Sequence, residues 1–291
     1  MSPSQPDVAA SVFPVGKTPC STPDGDPVIL MCPPTFFTVS YAINPWMKEA
    51  SPCDTVLAKK QWDLLYEAIL THAGAHIELL EPVSGLPDIV FTANAAFVYE
   101  DTAIIARYKH PERQPEEEIC ADWFTHQGFQ IFRMPKELPF EGAGDALIWE
   151  NRVFAGYGTR TALESHALLS QATGLPVISL ELTNPRFYHI DVCLCPLADG
   201  SLIYAPSTLT ADGLVRLEAE VPPDKRIPVS AVEAARFACN AVNINDKIIL
   251  NQGSPELVAA LKSRGFQVIP LNLSEFLKAG GSAKCLSLRI G

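Results

Sequence analysis

Apolar and polar residues follow one another along this chain in a pattern that recurs four times. Each copy opens on a phenylalanine and runs into two apolar stretches, and the four openings are Phe91, Phe140, Phe187 and Phe237. The openings are roughly 50 residues apart, which is a period typical of proteins built from stacked structural repeats. The pattern therefore predicts that one supersecondary unit is used several times.

A short polar turn separates the two apolar stretches of each copy. The turns are Glu100-Asp101, Glu150-Asn151, Asp199-Gly200 and Asn245-Asp246. The flanking stretches are rich in Ile, Val and Tyr, and this combination is typical of a β-hairpin. Each copy is therefore predicted to begin with two antiparallel strands.

Helical spacing of apolar residues appears between the hairpins, and each such stretch ends in glycine before another short apolar run. The terminal glycines are Gly74, Gly128, Gly174 and Gly265. Glycine just after the last helical turn is typical of a backbone with positive φ. The predicted unit is therefore strand, strand, helix, strand.

The same period extends the pattern to both ends of the sequence. It adds an apolar strand near residue 30 (VILMCPP) and a last strand that starts at Cys285 (CLSLRI). Units this short cannot bury their apolar faces alone, but five of them can do so around an axis. We therefore expect an α/β fold, a five-bladed pseudo-symmetric α/β propeller, with the last strand closing on the first unit. A single domain is expected over residues 28–291, after a flexible N-terminal arm over residues 1–27 that is rich in Ser, Pro and Asp.

Composition and charge narrow the class of partner. The 291 residues carry a net charge of −11, which argues against a nucleic-acid or anionic-membrane surface. No stretch is long and apolar enough for a membrane span, and no secretory signal is visible, so a cytoplasmic location is expected. The eight cysteines form no CxxC pair, and reduced thiols are the better interpretation.

Polar residues open each repeated unit, and equivalent loops of a closed ring meet at its axis. The residues expected to converge there are Asp88, Asn94, Glu141, Asp145, His189, Asp191, Asn240, Asn243 and Cys285. A cysteine, a histidine and several carboxylates in one pocket are typical of a nucleophilic site. Taken singly, Cys285 is better explained as a buried core thiol and His189 as a structural histidine.

Five phrases that occur in a fixed order favour the catalytic interpretation of Cys285 and His189 over the structural one. They are PDIVFTAN (87–94), PFEGAGDAL (139–147), GYGTRT (156–161), FYHIDVCLCPL (187–197) and GGSAKCLSLR (280–289). Together they resemble the guanidino-group-modifying superfamily, whose members share the five-bladed pentein fold. The phrases RYKHPERQ (107–114) and FLKAGGSAKCL (276–286) resemble in particular the arginine dihydrolases of that superfamily.

The resemblance implies a role for each matching residue. Cys285 is the expected nucleophile, His189 the general acid and base, and Glu141 a residue that orients His189 or binds the substrate. Asp88 and Asp191 are expected to hold the guanidinium group. The remaining expected substrate contacts are Arg107 and Arg160 on the α-carboxylate, together with Asn44 and Asn94. No metal or organic cofactor is expected, the partner is a small molecule such as arginine or a derivative, and a homo-oligomer is possible.

One position separates the branches of the superfamily. In the arginine deiminases and the dimethylarginine hydrolases the residue equivalent to Asn94 is aspartate, whereas the dihydrolases resemble this chain in having asparagine there. The alternatives left open are a hydrolase that releases citrulline, an amidinotransferase, and a non-catalytic pentein that only binds a partner. Residues 35–48, which include the phrase TFFTVSYAINPWM, are expected to act as a lid that folds over the ligand.

Overall fold

A computed structural model describes residues 19–22 and 25–291. The expected flexible arm, residues 1–27, lies mostly outside these described residues, and its character stays a prediction. The strands are β1 (Val28–Met31), β2 (His76–Leu79), β3 (Ala96–Tyr99), β4 (Thr102–Ile105), β5 (Gln130–Arg133), β6 (Ala146–Trp149), β7 (Arg152–Tyr157), β8 (Val177–Glu181), β9 (Leu194–Pro196), β10 (Leu202–Tyr204), β11 (Arg226–Pro228), β12 (Val242–Ile244), β13 (Lys247–Asn251), β14 (Gln267–Leu271) and β15 (Leu288–Arg289).

The strands form five three-stranded sheets among the described residues. Four sheets have the same order, in which an antiparallel hairpin is followed by a third strand parallel to the second strand of the hairpin. These sheets are β3-β4-β5, β6-β7-β8, β9-β10-β11 and β12-β13-β14. The predicted hairpin followed by a third strand is therefore confirmed in all four copies.

The two ends of the chain complete the fifth sheet. β1 pairs in parallel with β2, and the C-terminal strand β15 pairs antiparallel with β1 through Ile29↔Arg289 and Leu30↔Leu288. The last strand therefore meets the first unit, as the repeat predicted. It begins at Leu288 and not at Cys285, because Leu286 donates its N–H to the carbonyl of Ser282 and curls the chain into a turn before the strand.

Helices connect the second and third strands of the units, except α6 and α8, which lie between one unit and the next. They are α1 (Pro45–Glu49), α2 (Thr55–Glu67), α3 (Glu116–His126), α4 (Ser165–Thr173), α5 (Ala211–Glu220), α6 (Ala231–Ala234), α7 (Pro255–Ser263) and α8 (Ser274–Leu277). Helix α2 continues into a π-helical turn at Ala68–His72. The sequence pattern did not predict α5, the connecting helix of the fourth unit, since no glycine marks its end.

Positive φ angles occur at equivalent places in the repeated units. The predicted helix-ending glycines Gly74, Gly128, Gly174 and Gly265 have φ between 69° and 90°. The predicted hairpin turns each place one residue in the left-handed region, namely Glu100, Glu150, Gly200 and Asn245. The turn chemistry that marked the units in the sequence therefore corresponds to real backbone geometry.

One edge strand of each sheet borders a shared cavity of about 530 Å³. Apolar side chains from β3, β6, β9, β12 and β15 line it, and representative members are Phe97, Leu147, Leu194, Val242 and Leu288. Four apolar clusters fill the space around these strands. One edge of every sheet therefore faces the same interior space.

Candidate active site

Short helical turns precede the first strand of three units; they carry Asp88, Asn94 and Asp191 and are directly preceded by Glu141 and His189. They are Pro87–Val90 and Thr92–Asn94 before β3, Gly142–Gly144 before β6, and Ile190–Val192 before β9. Cys285 occupies the equivalent position before β15. Because these positions correspond in the repeated units, the fold brings their side chains to one end of the sheets.

Cys285 is 3% exposed and has polar partners on two sides. Its sulfur donates to Oδ2 of Asp191 at 3.4 Å and accepts from Nδ2 of Asn240 at 3.1 Å. Burial raises the pKa of the Cys285 thiol well above its ordinary value, and the neighbouring Asp191 carboxylate raises it further. The thiol is therefore protonated at neutral pH unless a cation is added to the site.

His189 is held by a buried carboxylate. Its Nε2 lies 2.8 Å from Oε2 of Glu141, and the same oxygen accepts from Arg160 at 2.9 Å. If Nε2 carries the proton, Nδ1 is left with a lone pair, and Nδ1 lies 3.5 Å from Nδ2 of Asn94. Nδ1 is therefore the imidazole nitrogen on the side of Asn94, whose side chain lines the small cavity described below.

Opposing influences act on the carboxyl group of Glu141. Burial alone would raise its pKa, but the Arg160 guanidinium and the hydrogen bond with His189 outweigh this effect. The pKa of Glu141 is consequently held well below its ordinary range, so the group stays ionised at any physiological pH.

Two buried aspartates each keep one carboxylate oxygen without a hydrogen-bond donor among the described residues. These atoms are Oδ1 of Asp88 and Oδ1 of Asp191, in side chains that are 2% and 0% exposed. Burial raises the pKa of both groups. A buried unpaired carboxylate oxygen is costly, and a cationic donor from a ligand would satisfy both.

Asn94 lies between Arg113 and His189. Its Oδ1 accepts from Arg113 at 3.0 Å, and its Nδ2 donates to the carbonyl of Glu141 at 3.3 Å. Gly144 permits this close packing, because a Cβ on it would lie 2.1 Å from Nδ2 of Asn94 and 3.2 Å from Nδ1 of His189. Gly144, the second glycine of PFEGAGDAL, therefore leaves no room for a side chain.

A second, small cavity of about 10 Å³ lies beside the Cys285 thiol. It is lined by Ile43, Asn44, Met47, Asp88, Phe91, Asn94, Arg113, Arg160, Tyr188, Ala279, Gly281 and Cys285. Asn44 closes one side, since its Nδ2 donates to the carbonyl of Ala279 and its Oδ1 caps α1 through Met47. The space holds about one water, so it is too small for a larger ligand in this conformation.

Arg107 is not brought to this cavity. Its guanidinium forms an ion pair with Glu117 and donates to the carbonyl of Met134, while its backbone bridges Phe140. Arg113, six residues later, lines the cavity in its place. Sequence reasoning missed Arg113, and its only signal was a glutamate three residues on, Glu116, with which it forms a buried ion pair at 2.7 Å.

The described part of the chain contains no helix that is long and apolar enough to cross a membrane. Within the same residues, no group of three or more His, Cys, Asp and Glu side chains is arranged to hold a metal ion. All eight cysteines are free thiols.

A family model described as eukaryotic N,N dimethylarginine dimethylhydrolase matches residues 44–290. The matched range includes every residue of the site, from Asn44 to Cys285. It also covers far more than half of the chain.

Curated relatives include proteins with two different activities. The bifunctional arginine dihydrolase/ornithine cyclodeaminase AgrE of Nostoc sp. is 45% identical over 264 residues, which is 90% of this chain and 37% of that protein. The N(G),N(G)-dimethylarginine dimethylaminohydrolase of Mycobacterium tuberculosis is 41% identical over 260 residues, which is 89% of this chain and 84% of that protein. This chain therefore spans 37% of the length of the bifunctional relatives.

Solved structures of one relative have the same fold. The N-terminal domain of ArgZ, an arginine dihydrolase from the ornithine-ammonia cycle in cyanobacteria, is 44% identical to this chain with a TM-score of 0.89. The match covers 91% of this chain and 98% of that domain, which was solved with its substrate bound. The same domain was also solved with a covalently bound reaction intermediate and with product.

Proposed function

Because this chain belongs to the N,N dimethylarginine dimethylhydrolase family, we propose that it hydrolyses guanidino C–N bonds, with L-arginine as substrate and ornithine, ammonia and CO2 as products. Cys285 is the nucleophile, His189 the general acid and base, and Glu141 the residue that orients His189. The proposal makes the chain an arginine dihydrolase, the activity named for AgrE and ArgZ.

The observation that carries the proposal is the pair of buried aspartates beside a buried thiol. Asp88 and Asp191 each present one oxygen with no described donor within hydrogen-bond geometry, although the Tyr41 hydroxyl lies beside Asp88, and Asp191 contacts the sulfur directly. A planar guanidinium supplies several N–H donors and a positive charge. It would therefore pair with both aspartates and, by adding positive charge near the sulfur, lower the pKa of the Cys285 thiol.

The first round of chemistry replaces one nitrogen of the guanidinium group. The thiolate sulfur bonds to the guanidinium carbon and gives a tetrahedral adduct. His189 donates a proton to the departing nitrogen, ammonia leaves, and a covalent thiouronium remains on Cys285. Water then attacks, giving its proton to His189, and the C–S bond breaks to release a ureido group.

The second round uses the same groups on the ureido carbon. The sulfur attacks again, a second ammonia leaves, and water releases a carbamate that loses CO2 to give ornithine. Asn94 makes this possible because an amide can donate to and accept from a neutral urea, whereas an aspartate would favour the cation. Two waters are consumed, and two ammonia molecules and one CO2 are released for each arginine.

Two arginines bind the α-carboxylate of the substrate. Arg160 keeps the role expected from the sequence, and Arg113 replaces Arg107 as its partner, since both guanidinium groups line the small cavity. Planar guanidinium groups suit a carboxylate because they form paired hydrogen bonds. Asn44 and Asn94 complete the substrate contacts.

Residues 35–48 form the lid over this site. Three hydrogen bonds to backbone carbonyls attach this segment to the rest of the chain. Asn44 donates to Ala279, Trp46 donates to Arg186, and Arg160 donates to Ile43. Because the cavity beneath has room for about one water, the lid opens to admit arginine and closes over it.

The architecture that supports the site is a five-bladed α/β propeller formed by one catalytic domain over residues 28–291. Support comes from the shared cavity bordered by one edge strand of every sheet and from the pairing of β15 with β1. The reaction needs no metal or organic cofactor, because side chains and substrate supply every proton. The protein acts in the cytoplasm on a small molecule.

Release of citrulline is the second candidate activity, and the family match and the M. tuberculosis relative support it. Amidinotransfer would need an amine acceptor to stimulate turnover. A purely binding role is disfavoured by the intact set of Cys285, His189 and Glu141. A substrate panel of arginine, dimethylarginine, N-acylarginine and agmatine separates these activities.

Incubation with arginine, followed by quantification of ammonia, citrulline and ornithine, tests the proposal. We expect two ammonia molecules for each ornithine, no lasting citrulline, and no turnover in Cys285→Ser. Asn94→Asp should shift the output toward citrulline or abolish turnover, whereas Asn151→Asp, in an exposed hairpin turn, should match the parent. Citrulline that accumulates without ornithine would refute the second round.

A further inference from the structure

Asn240 occupies the position before β12 that corresponds to the other site residues in the repeated units, yet the chemistry above gives it no role. It is 0% exposed, and its side-chain amide makes three hydrogen bonds. Oδ1 accepts from the backbone N–H of Cys285 at 3.2 Å, and Nδ2 donates to the carbonyl of Asp191 at 3.1 Å and to the sulfur of Cys285 at 3.1 Å.

The orientation of this amide follows from its backbone partners. A backbone N–H can only donate and a backbone carbonyl can only accept. The oxygen of Asn240 must therefore face Cys285 N, and its nitrogen must face Asp191 O. Both amide hydrogens and the oxygen are then in use, and the group that faces the sulfur is an N–H donor.

Asn240 and Asp191 act on the sulfur in opposite ways. Asp191 accepts from the thiol and so favours the protonated form. An N–H aimed at the sulfur favours the thiolate, since a hydrogen bond to a charged acceptor is roughly twice as strong as one between neutral groups. When a substrate cation neutralises Asp191, the donor from Asn240 remains and stabilises the negative charge on the sulfur.

We propose that Asn240 is a further catalytic residue, whose side-chain amide donates a hydrogen bond to Cys285 Sγ and stabilises the reactive thiolate. The inference rests on the proposed role of Cys285 as nucleophile. Asn240 also fixes the position of the sulfur, because the same amide binds the backbone N–H of Cys285. The oxyanion-type donors of other enzymes act by the same principle of a fixed dipole aimed at developing charge.

The test measures the thiol itself, so it does not depend on which substrate the protein uses. The rate of iodoacetamide alkylation is followed at pH 7, 8 and 9 for the peptide that contains Cys285, which mass spectrometry separates from the other cysteines. The raised pKa of the thiol lies above this range, so the rate is proportional to the thiolate fraction. Asn240→Asp keeps the oxygen that accepts from Cys285 N–H but replaces the donor to the sulfur. Asn243→Asp is the matched control: its amide contacts only backbone groups, of Ala198, Asn245 and Lys247, and it lines the large cavity and not the small one beside the thiol, where the sequence had placed it.

We expect the Cys285 alkylation rate at pH 8 to fall about tenfold or more in Asn240→Asp, which corresponds to a rise of about one pH unit in the thiol pKa. Asn243→Asp should leave the rate unchanged. Asn240→Ser removes the amide donor without adding charge, and it should lower the rate as well. A folded Asn240→Ser variant that reacts as fast as the parent overturns the inference, since a loss confined to Asn240→Asp reports only the added charge. An arginine assay that fails while the loss of alkylation rate persists would instead count only against the proposed substrate.

Discussion

Nε2 of His189 lies 2.8 Å from Oε2 of Glu141, in a place where both side chains are almost completely excluded from solvent. The pKa of Glu141 is held well below its ordinary range despite burial, which alone would raise it, by Arg160 and His189. In the proposed reaction, this permanently ionised carboxylate holds one ring nitrogen of His189 and stabilises the imidazolium formed when the other nitrogen takes a proton.

Replacing Glu141 with glutamine should therefore slow the chemistry itself. Glu141→Gln removes the charge that stabilises the imidazolium, and we expect kcat for ornithine release to fall about a hundredfold or more. Glu118→Gln is the control, since Glu118 is exposed and pairs with Arg133 at the surface. Thermal unfolding curves first establish that both variants are folded. Equal kcat values for the two would then rule out the role assigned to Glu141.

Gly144 offers a test of geometry without any change of charge. An added Cβ would lie 2.1 Å from Asn94 and 3.2 Å from His189, so Gly144→Ala must displace one of them. A displacement of about 1 Å commonly costs about a hundredfold in rate, and we expect that loss in kcat/KM for arginine. Gly213→Ala, in helix α5 where the nearest atom would be 3.1 Å away, should retain activity. Full activity in Gly144→Ala would mean that Asn94 and His189 need not be held this closely.

The choice between Arg107 and Arg113 can be made by kinetics. Arg113→Lys keeps the positive charge but loses the planar fork, and we expect KM for arginine to rise about tenfold or more. Arg107→Lys should change KM little, because Arg107 pairs with Glu117 away from the cavity. The reverse order of the two KM values would restore Arg107 to the substrate site.

Much of this structure could be predicted from the sequence because the same unit recurs. Polar turns, helix-ending glycines and hairpin strands each appear at equivalent places, and correspondence between units alone brings Asp88, Glu141, His189 and Cys285 to one end of the sheets. A residue that opens a unit was therefore placed without knowledge of any long-range contact.

The remainder depended on contacts that a local pattern does not contain. Arg107 and Arg113 belong to the same phrase, and they differ in their tertiary partners, which are Glu117 for Arg107 and Glu116 with Asn94 for Arg113. Asn240 was expected near the axis, but its hydrogen bonds to Cys285 depend on the turn before β15. The alternating residues CLSLRI did not predict this turn. Sequence periodicity predicted where the site lies, but which residues line it depends on tertiary hydrogen bonds.

Asp145 links the two loops that carry Glu141 and His189, and its titration should appear in the stability of the protein. Its Oδ1 accepts from Ile190 N at 3.1 Å, and its Oδ2 accepts at 2.6 Å from the hydroxyl of Thr161, which itself accepts from Glu141 N. Burial is the main cause that raises the pKa of Asp145 to about 7, although His189 and Thr161 oppose it.

The sign of the pH effect follows from that raised pKa. Between pH about 4 and 7 the folded chain keeps a proton on Asp145 that the unfolded chain releases. This group therefore adds stability at low pH that is lost as the pH rises through the window, by at most about 4 kcal/mol. Asp145→Asn cannot titrate, so its free energy of unfolding in urea should fall less between pH 5 and pH 8 than that of the parent. Asp122→Asn, an exposed position on α3, should keep the parent slope. If Asp145→Asn loses as much stability as the parent over this range, Asp145 is already ionised at pH 5 and holds the two loops as a carboxylate.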